Sequence, residues 1–269
     1  MQQCNKIDPE NINMDGLTHL FLAFAGINPS NFEVSLANPA HEDLCTRLVH
    51  KNSNICEIWI ALGGWAFTDV DTTKKTWSEL ASCSNSHQRF IASVKVFMAK
   101  YKLKGIDIDW EYPGTPERNG QPDDTKNLVS LVKEMHAAFR TMEDYVDFFG
   151  LITYDLHGAW NNSGYYGHKI AGHINISEIQ NMISLLWYAK INPAKINLGL
   201  AYYGQGYTLQ DPSCNWAGCQ WTGLSDAGSC TMTRGVMLLQ EIETLISEKG
   251  IQLQLLQKKM MKQITFGDQ

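Results

Sequence analysis

Long hydrophobic runs and clusters of basic residues are both missing from this sequence of 269 residues. No window of about 18 apolar residues occurs, so a transmembrane helix is not expected. The first residues, MQQCNKIDPENINMDG, are polar and lack the apolar core of a signal peptide. Acidic residues outnumber basic ones, 28 to 22, and no basic block or stripe is visible. We therefore expect neither nucleic acid nor a membrane as a partner.

Paired CxxC units are lacking among the seven cysteines, which argues against a zinc site. Cys214, Cys219 and Cys230 lie close together in a loop rich in Gly, Pro and Ser. A disulfide that staples this loop fits the clustering better than inert thiols do, and it indicates an oxidising compartment. The polar start of the chain, taken alone, would instead indicate a cytosolic protein.

Five short apolar runs recur along the chain and are rich in β-branched and aromatic residues. Three of them end in glycine, and the whole pattern predicts buried strands. The runs cover residues 18–26, 56–64, 105–110, 146–154 and 196–204.

Helical patterns lie between these runs, at residues 87–101, 124–142, 178–190 and 235–249, and Ser177 is predicted to cap the third helix. Alternating strands and helices indicate a parallel sheet covered by helices. The repeats are roughly 40 to 50 residues long and lack a dinucleotide-binding fingerprint, which favours a TIM-type (β/α)8 barrel over an open doubly wound sheet. We interpret residues 1–269 as one α/β domain.

The run KGIDIDWEYPG, residues 104–114, has an acid at every second position: Asp107, Asp109 and Glu111. Alternate side chains of a strand share a face, so these acids should point into the barrel while the apolar residues between them face the helices. Three carboxyl groups in a partly desolvated lumen cannot all ionise cheaply, so one should keep its proton near neutral pH. We expect that one to be Glu111, the outermost, in the state that a general acid requires.

Two other interpretations of the acidic strand are a solvated edge strand and a calcium site. The apolar residues on both sides of the run argue against a solvated edge. The glycine and the oxygen-rich loop of an EF-hand are absent. Catalytic acids are the favoured interpretation, with neither a metal nor a cofactor expected.

GIDIDWEYPG resembles the catalytic signature of glycoside hydrolase family 18, the chitinases, which is Asp-x-x-Asp-x-Asp-x-Glu on a barrel strand. Four other segments resemble strands of the same family, in the same order: THLFLAFAGINP the second, ALGGW the third, TYDLHGAW the sixth and NLGLAYYGQGYTL the seventh. DLHG and the cysteine loop resemble the fungal chitinases related to killer-toxin subunits.

The resemblance implies a substrate-assisted, retaining hydrolysis in which the 2-acetamido oxygen of the sugar is the nucleophile. Glu111 would protonate the leaving oxygen and later deprotonate water. Asp109 would orient the acetamido N–H and stabilise the oxazolinium-like intermediate, while Asp107 would hold Asp109 and share its proton. Tyr154 would donate to the acetamido oxygen, and Asp155 would contact the sugar.

The resemblance also implies a substrate cleft at the strand ends for chitin or chitooligosaccharides, in a secreted, monomeric protein. The aromatic residues among the candidate contacts could instead pack within the barrel. The candidate contacts are Phe24, Gly64, Trp65, Tyr112, Trp160 and Tyr203.

Four positions depart from the family pattern. Lys104 replaces the first Asp of the signature, Ala61 a Ser, Ile152 a Met, and Gln205 an Arg. The first two would remove supports around Asp107, and such supports commonly matter to activity.

Larger departures predict an incomplete barrel, with the first, fifth and last strands absent or partial. The fifth should lie near residues 140–143, where the predicted helix runs almost directly into EDYVDFF. A closed barrel needs matched strand number and stagger. Either the sheet is open or irregularly repaired, or the chain is a truncated or mis-spliced gene product, and we favour the second.

Three functions follow from these patterns. A chitinase is the leading hypothesis. A non-catalytic, lectin-like chitin-binding protein is the alternative, although such relatives typically lose the acid that stands here at Glu111. An endoglycosidase acting on N-glycans is the third.

Overall fold

The computed structural model describes residues 7–52, 55–139, 146–161 and 167–267. The chain divides into two units, an amino-terminal unit, Ile7–Val146, and a carboxyl-terminal unit that runs from Asp147 onward. Among the described residues the strands form one four-stranded sheet and four two-stranded sheets, and none of these closes into a barrel.

The amino-terminal unit contains the four-stranded sheet, in the order β2-β1-β3-β4. Strand β3 pairs in parallel with β1 and with β4, whereas β2 is antiparallel to β1. The strands are β1 (His19–Ile27), β2 (Val34–Leu36), β3 (Glu57–Gly63) and β4 (Gly105–Asp109). The helices are α1 (Glu42–Asn52), α2 (Thr76–Ala81), α3 (Ser84–Tyr101) and α4 (Asp124–Phe139).

The core of this unit lies between the sheet and its helices. The centre of β3 contributes Ile58, Ile60 and Leu62, each at most 2% exposed. Helix α3 buries Phe90, Val94, Phe97 and Tyr101, whose spacing of three and four residues places them on one face. The helix ends where Lys102 takes a left-handed conformation with φ of 56°. The indole of Trp77 stacks on that of Trp110, with ring centres 5.7 Å apart.

The carboxyl-terminal unit is built from short strand pairs and two helices. Strands β5 and β6 are parallel, and the pairs β7–β10, β8–β9 and β11–β12 are antiparallel. In chain order its elements are β5 (Phe149–Leu151), α5 (Ile176–Tyr188), β6 (Ile196–Leu198), β7 (Tyr203–Gln205), β8 (Tyr207–Leu209), β9 (Trp221–Leu224), β10 (Val236–Leu238), α6 (Leu239–Lys249), β11 (Gln254–Leu256) and β12 (Met261–Gln263).

Of the cysteines in the predicted disulfide loop, Cys214 and Cys219 lie between β8 and β9, whereas Cys230 follows β9. Cys214 and Cys219 are bonded, with Cα atoms 5.7 Å apart, and Cys230 is also disulfide-bonded. Cys45, Cys56 and Cys83 are free thiols. The prediction of a stapled loop is therefore confirmed.

The predicted strands of the amino-terminal unit are confirmed within one or two residues of their ends. In the carboxyl-terminal unit only Phe149–Leu151 of the fourth run forms a strand, and the fifth run divides between β6 and β7. The predicted helix at 235–249 begins only at Leu239, because Val236–Leu238 pairs with β7 instead.

The predicted cap of the third helix was wrong. Asn175 is the N-cap of α5, and its side-chain oxygen accepts a hydrogen bond from the backbone N–H of Ser177 at 3.2 Å. The sequence patterns also missed α1, α2 and β2. The predicted loss of a strand near residues 140–143 falls outside the described residues. None of the helices within the described ranges is both long and apolar enough to cross a bilayer.

We predict that two valines of α3 differ sharply in their contribution to stability. Val94 is 1% exposed and Val96 is 70% exposed. Val94→Ala should lower the free energy of unfolding by about 2 kcal/mol, because it removes two buried methyl groups and leaves a cavity. Val96→Ala should leave stability unchanged or slightly raised, since alanine is the better helix former. Urea unfolding of both variants measures the difference, and equal losses would contradict the assigned faces of the helix.

Candidate functional site

Strand β4 presents its acidic and apolar side chains to opposite faces, as the alternation predicts. Ile106 and Ile108 pack against the core, and Trp110, which follows the strand, is 9% exposed. Asp107 and Asp109 therefore lie on the other face of the sheet. The pairing with β3 sets Ala61 beside Asp107.

Burial is the dominant influence on the two aspartates. It raises the pKa of Asp107 to about 6, with a smaller contribution from the charge of Asp109. Burial also raises the pKa of Asp109. A carboxyl group that retains its proton towards neutral pH is thus present on this strand, at Asp107. The expectation that Glu111 keeps its proton stays a prediction.

Two glycines at the end of β3 permit close packing beside the acids. A side chain at Gly63 would lie 2.5 Å from the carbonyl oxygen of Asp109, and the φ of Gly63, 104°, also favours glycine. The backbone N–H of Gly64 donates to that same carbonyl at 2.9 Å. A side chain at Gly64 would come within 2.8 Å of the ring of Phe24. Gly64 therefore allows Phe24 to pack closely at this end of the sheet.

Exposed aromatic rings lie just beyond the ends of β3 and β4. Trp65 and Tyr112 are 53% and 57% exposed, and their rings meet edge to face with centres 6.2 Å apart. The Arg118 guanidinium covers the Trp65 ring at 3.7 Å from its centre. Phe24 is exposed as well. The amino-terminal unit therefore combines partly buried carboxyl groups with accessible flat rings.

In the carboxyl-terminal unit, Asp155 is the centre of a hydrogen-bond network. The Tyr203 hydroxyl donates to one carboxylate oxygen at 2.6 Å, and the Gln205 amide donates to the other at 2.9 Å. The imidazole of His173 lies 3.4 Å from that second oxygen. Burial alone would raise the pKa of Asp155, but the hydrogen bonds from His173, Tyr203 and Gln205 outweigh it and hold the pKa below its usual value.

Tyr154 and Trp160 lie on either side of Asp155 in the chain, in the segment after β5. The Tyr154 ring packs edge to face on Tyr203, with centres 6.2 Å apart, and passes over Gly199, where a side chain would lie 2.7 Å from it. Trp160 is 54% exposed and covers Gly158 so closely that no side chain would fit there. Tyr154 is therefore held by packing, whereas Trp160 has an accessible ring.

The predicted site residues fall into two groups, one in each unit. The amino-terminal group consists of Phe24, Gly64, Trp65, Asp107, Asp109, Glu111 and Tyr112. The carboxyl-terminal group consists of Tyr154, Asp155, Trp160 and Tyr203. Among the described residues, no group of three or more His, Cys, Asp or Glu side chains is placed to hold a metal ion.

Sequence reasoning missed three residues of these groups. His173 and Gln205 reach Asp155 from 18 and 50 positions away, and Arg118 reaches Trp65 from 53. His173 and Arg118 belong to none of the motifs recognised in the sequence, whereas Gln205 lies within NLGLAYYGQGYTL. Gln205 was recognised only as a departure from an arginine, yet its amide still donates to Asp155.

The sequence model of "Glycosyl hydrolases family 18" matches residues 2–144 and 136–266. The chain belongs to this family. The match comes in two pieces that meet at 136–144, where the sequence predicts the loss of a strand.

Two fungal relatives from Penicillium expansum show how much of a longer family 18 protein this chain matches. It is 29% identical to "Probable chitinase LysM11" over 91% of its own length and 25% of that protein's. It is 24% identical to "Secreted chitinase LysM12" over 93% of its length and 19% of that protein's. The chain thus spans about a quarter or less of these relatives.

Among solved structures, the class V chitinase from Nicotiana tobaccum in complex with NAG4 superposes with a TM-score of 0.82. The match covers 96% of this chain and 81% of that one, at 19% identity. The family 18 chain therefore has the TIM-type α/β fold of such catalytic domains. This confirms the predicted TIM-type α/β fold class, and none of the sheets formed by described residues closes into a barrel.

We predict that the contribution of Asp107 to the free energy of unfolding decreases as the pH rises. Its folded pKa of about 6 lies above the unfolded value of about 3.9, so between these values the folded state binds more protons and the free energy of unfolding falls with rising pH. Relative to Asp107→Asn, the wild-type chain should lose at most about 3 kcal/mol between pH 4 and pH 7. Urea unfolding at both pH values tests this, with Asp15→Asn at an exposed position as the control. A constant difference between wild type and Asp107→Asn would contradict it.

We predict that Tyr203→Phe raises the pKa of Asp155, because the variant loses the hydroxyl that donates to the ionised carboxylate. Titration of the 13C-labelled carboxyl group by NMR measures the change. Tyr202→Phe is the matched control, since the neighbouring Tyr202 is 72% exposed. If both variants leave the pKa of Asp155 where it is, the Tyr203 contact does not control this carboxylate.

Proposed function

We propose that the chain hydrolyses β-1,4-linked N-acetylglucosamine polymers, with Glu111 as the proton donor. The observation that carries this proposal is β4, which sets Asp107 and Asp109 on the face away from the core and leads directly to Glu111. Membership of family 18 supports the proposal, and both fungal relatives are named chitinases.

In the first step, the carboxyl group of Glu111 protonates the glycosidic oxygen as the bond to the anomeric carbon breaks. The carbonyl oxygen of the sugar's own 2-acetamido group attacks that carbon from the opposite face and forms an oxazolinium ion. In the second step, water attacks the same carbon, the bond from that carbon to the acetamido oxygen breaks, and the carboxylate of Glu111 takes a proton from the water. Two inversions give net retention of configuration.

The raised pKa of Asp107 is suited to a supporting role in this mechanism. Around pH 6 this carboxyl group is protonated in part of the molecules, so it can donate a hydrogen bond to the neighbouring Asp109. Asp109, when ionised, accepts the acetamido N–H and stabilises the positive charge that develops on the oxazolinium ion. The two aspartates then act as a pair that shares a proton.

In the carboxyl-terminal unit, Asp155 stays ionised because its donors keep its pKa low. An ionised carboxylate is a strong acceptor for sugar hydroxyl groups. Tyr154 is a proposed hydrogen-bond donor to a sugar in this unit, and Trp160 and Tyr203 provide rings on which sugars can stack.

Chitin or its oligosaccharides are the proposed ligand, since the tobacco structure that resembles this chain holds NAG4. An extracellular location agrees with the disulfide between Cys214 and Cys219 and with a relative named "Secreted chitinase". The proposed oligomeric state is a monomer.

We predict that Glu111→Gln lowers the release of a fluorophore from a chitotriose glycoside by about 10²- to 10⁴-fold, since the amide cannot supply the proton. Glu117→Gln is the matched control. It makes the same change in the loop that follows β4, at an exposed position, and should retain full activity.

Equal rates for wild type and Glu111→Gln would overturn the role of Glu111. Retention of both proteins on chitin beads without turnover by wild type would instead favour the lectin-like function.

A further inference from the structure

Arg118 joins the loop after β4 to the turn after β3. Its guanidinium donates to the carbonyl oxygen of Trp65 at 2.7 Å, to the hydroxyl of Thr68 at 2.5 Å and to the carboxylate of Asp69. The side chain of Arg118 is only 11% exposed. These three partners leave the guanidinium little freedom to move.

The same guanidinium lies over one face of the Trp65 indole, with its central carbon 3.7 Å from the ring centre. Tyr112 meets the indole edge to face, with an angle of 85° between the ring planes. Trp65 nevertheless remains 53% exposed. Since the guanidinium lies over one face, we expect the opposite face to contribute to this exposed area and to be the one on which a flat ligand can stack.

The loop that carries Arg118 has a second anchorage that does not involve this residue. One carboxylate oxygen of the fully buried Asp124 accepts from the backbone N–H groups of Gln121 at 2.6 Å and Gly114 at 3.3 Å. The hydroxyl of Ser78 donates to the same oxygen at 2.8 Å. A substitution of Arg118 should therefore leave this loop in place.

We propose that Arg118 is a positioning residue, which holds the indole of Trp65 as a fixed platform for a sugar ring of a chitooligosaccharide. This inference rests on the proposed function. A ring that is already immobilised loses less conformational entropy when a ligand stacks on it, so the contribution appears as affinity. The planar guanidinium can stack on the indole and still donate to several acceptors, whereas the ammonium of lysine also donates but has no plane to stack on a ring.

The first test measures binding by calorimetry with chitohexaose, in chains that all carry Glu111→Gln so that no ligand is consumed. Arg118→Lys should weaken binding about fivefold to tenfold, in the range of cation–π contacts. With Trp65→Ala also present, Arg118→Lys should have no further effect, because the platform is already lost. Arg89→Lys, at an exposed position of α3, is the matched control and should bind as the parent does.

The second test separates positioning from catalysis. In chains with Glu111 intact, Arg118→Lys should raise KM about fivefold for chitohexaose while kcat changes less than about twofold. A merely structural role would lower kcat as well, and would weaken binding equally with and without Trp65. A lowered kcat, an equal weakening of binding with and without Trp65, or an unchanged affinity in Arg118→Lys would each overturn the inference.

The third test needs no sugar. The near-ultraviolet circular dichroism of the parent minus that of Trp65→Phe isolates the signal of an ordered Trp65. The same difference, taken between Arg118→Lys and the double variant Arg118→Lys, Trp65→Phe, should be strongly reduced. An undiminished signal overturns the positioning role even if the proposed function holds. If the parent binds no chitohexaose, the proposed function and the sugar platform both fail, whatever this signal shows.

Discussion

The parallel pairing of β4 with β3 sets the conditions for the rest of the candidate site. It buries Ile106 and Ile108 against the core, and it is continued by Trp110, which stacks on Trp77. A slip of one residue would turn every side chain of β4 to the other face and bring the aspartates into the core. The free energy gained by burying the apolar face therefore also orients Asp107 and Asp109.

The same carboxyl side chain acquires opposite protonation preferences in the two units. The contrast is between Asp107 with Asp109 and Asp155. Asp107 is partly buried beside another carboxyl group, so its neutral form is favoured. Asp155 is also partly buried, but three donors surround it and its ionised form is favoured. The proposed hydrolysis uses both states, one to share a proton and the other to accept hydrogen bonds from a sugar.

Strands and helices with strong periodicity could be predicted from the sequence, and those of the amino-terminal unit were predicted closely. The errors occurred where a local signal met a competing long-range contact. The helical pattern at residues 235–249 includes Val236–Leu238, but this segment pairs with β7. Asn175 and Ser177 are both good capping residues. Asn175 is the cap because its backbone is extended and α5 begins at the next residue. The short helix α2 carries too few turns for its periodicity to stand out.

By itself, the sequence determined the alternation of β4 and the order of the family motifs, which together suggest the chemistry that we propose for the acids. These properties depend on neighbouring residues, because a strand repeats every two positions whatever lies around it. Only the tertiary structure decided that Arg118 covers Trp65, that His173 and Gln205 reach Asp155, and that burial raises the pKa of both Asp107 and Asp109. Such contacts join residues far apart in the chain, and burial is a property of the packed core, so no local pattern carries them.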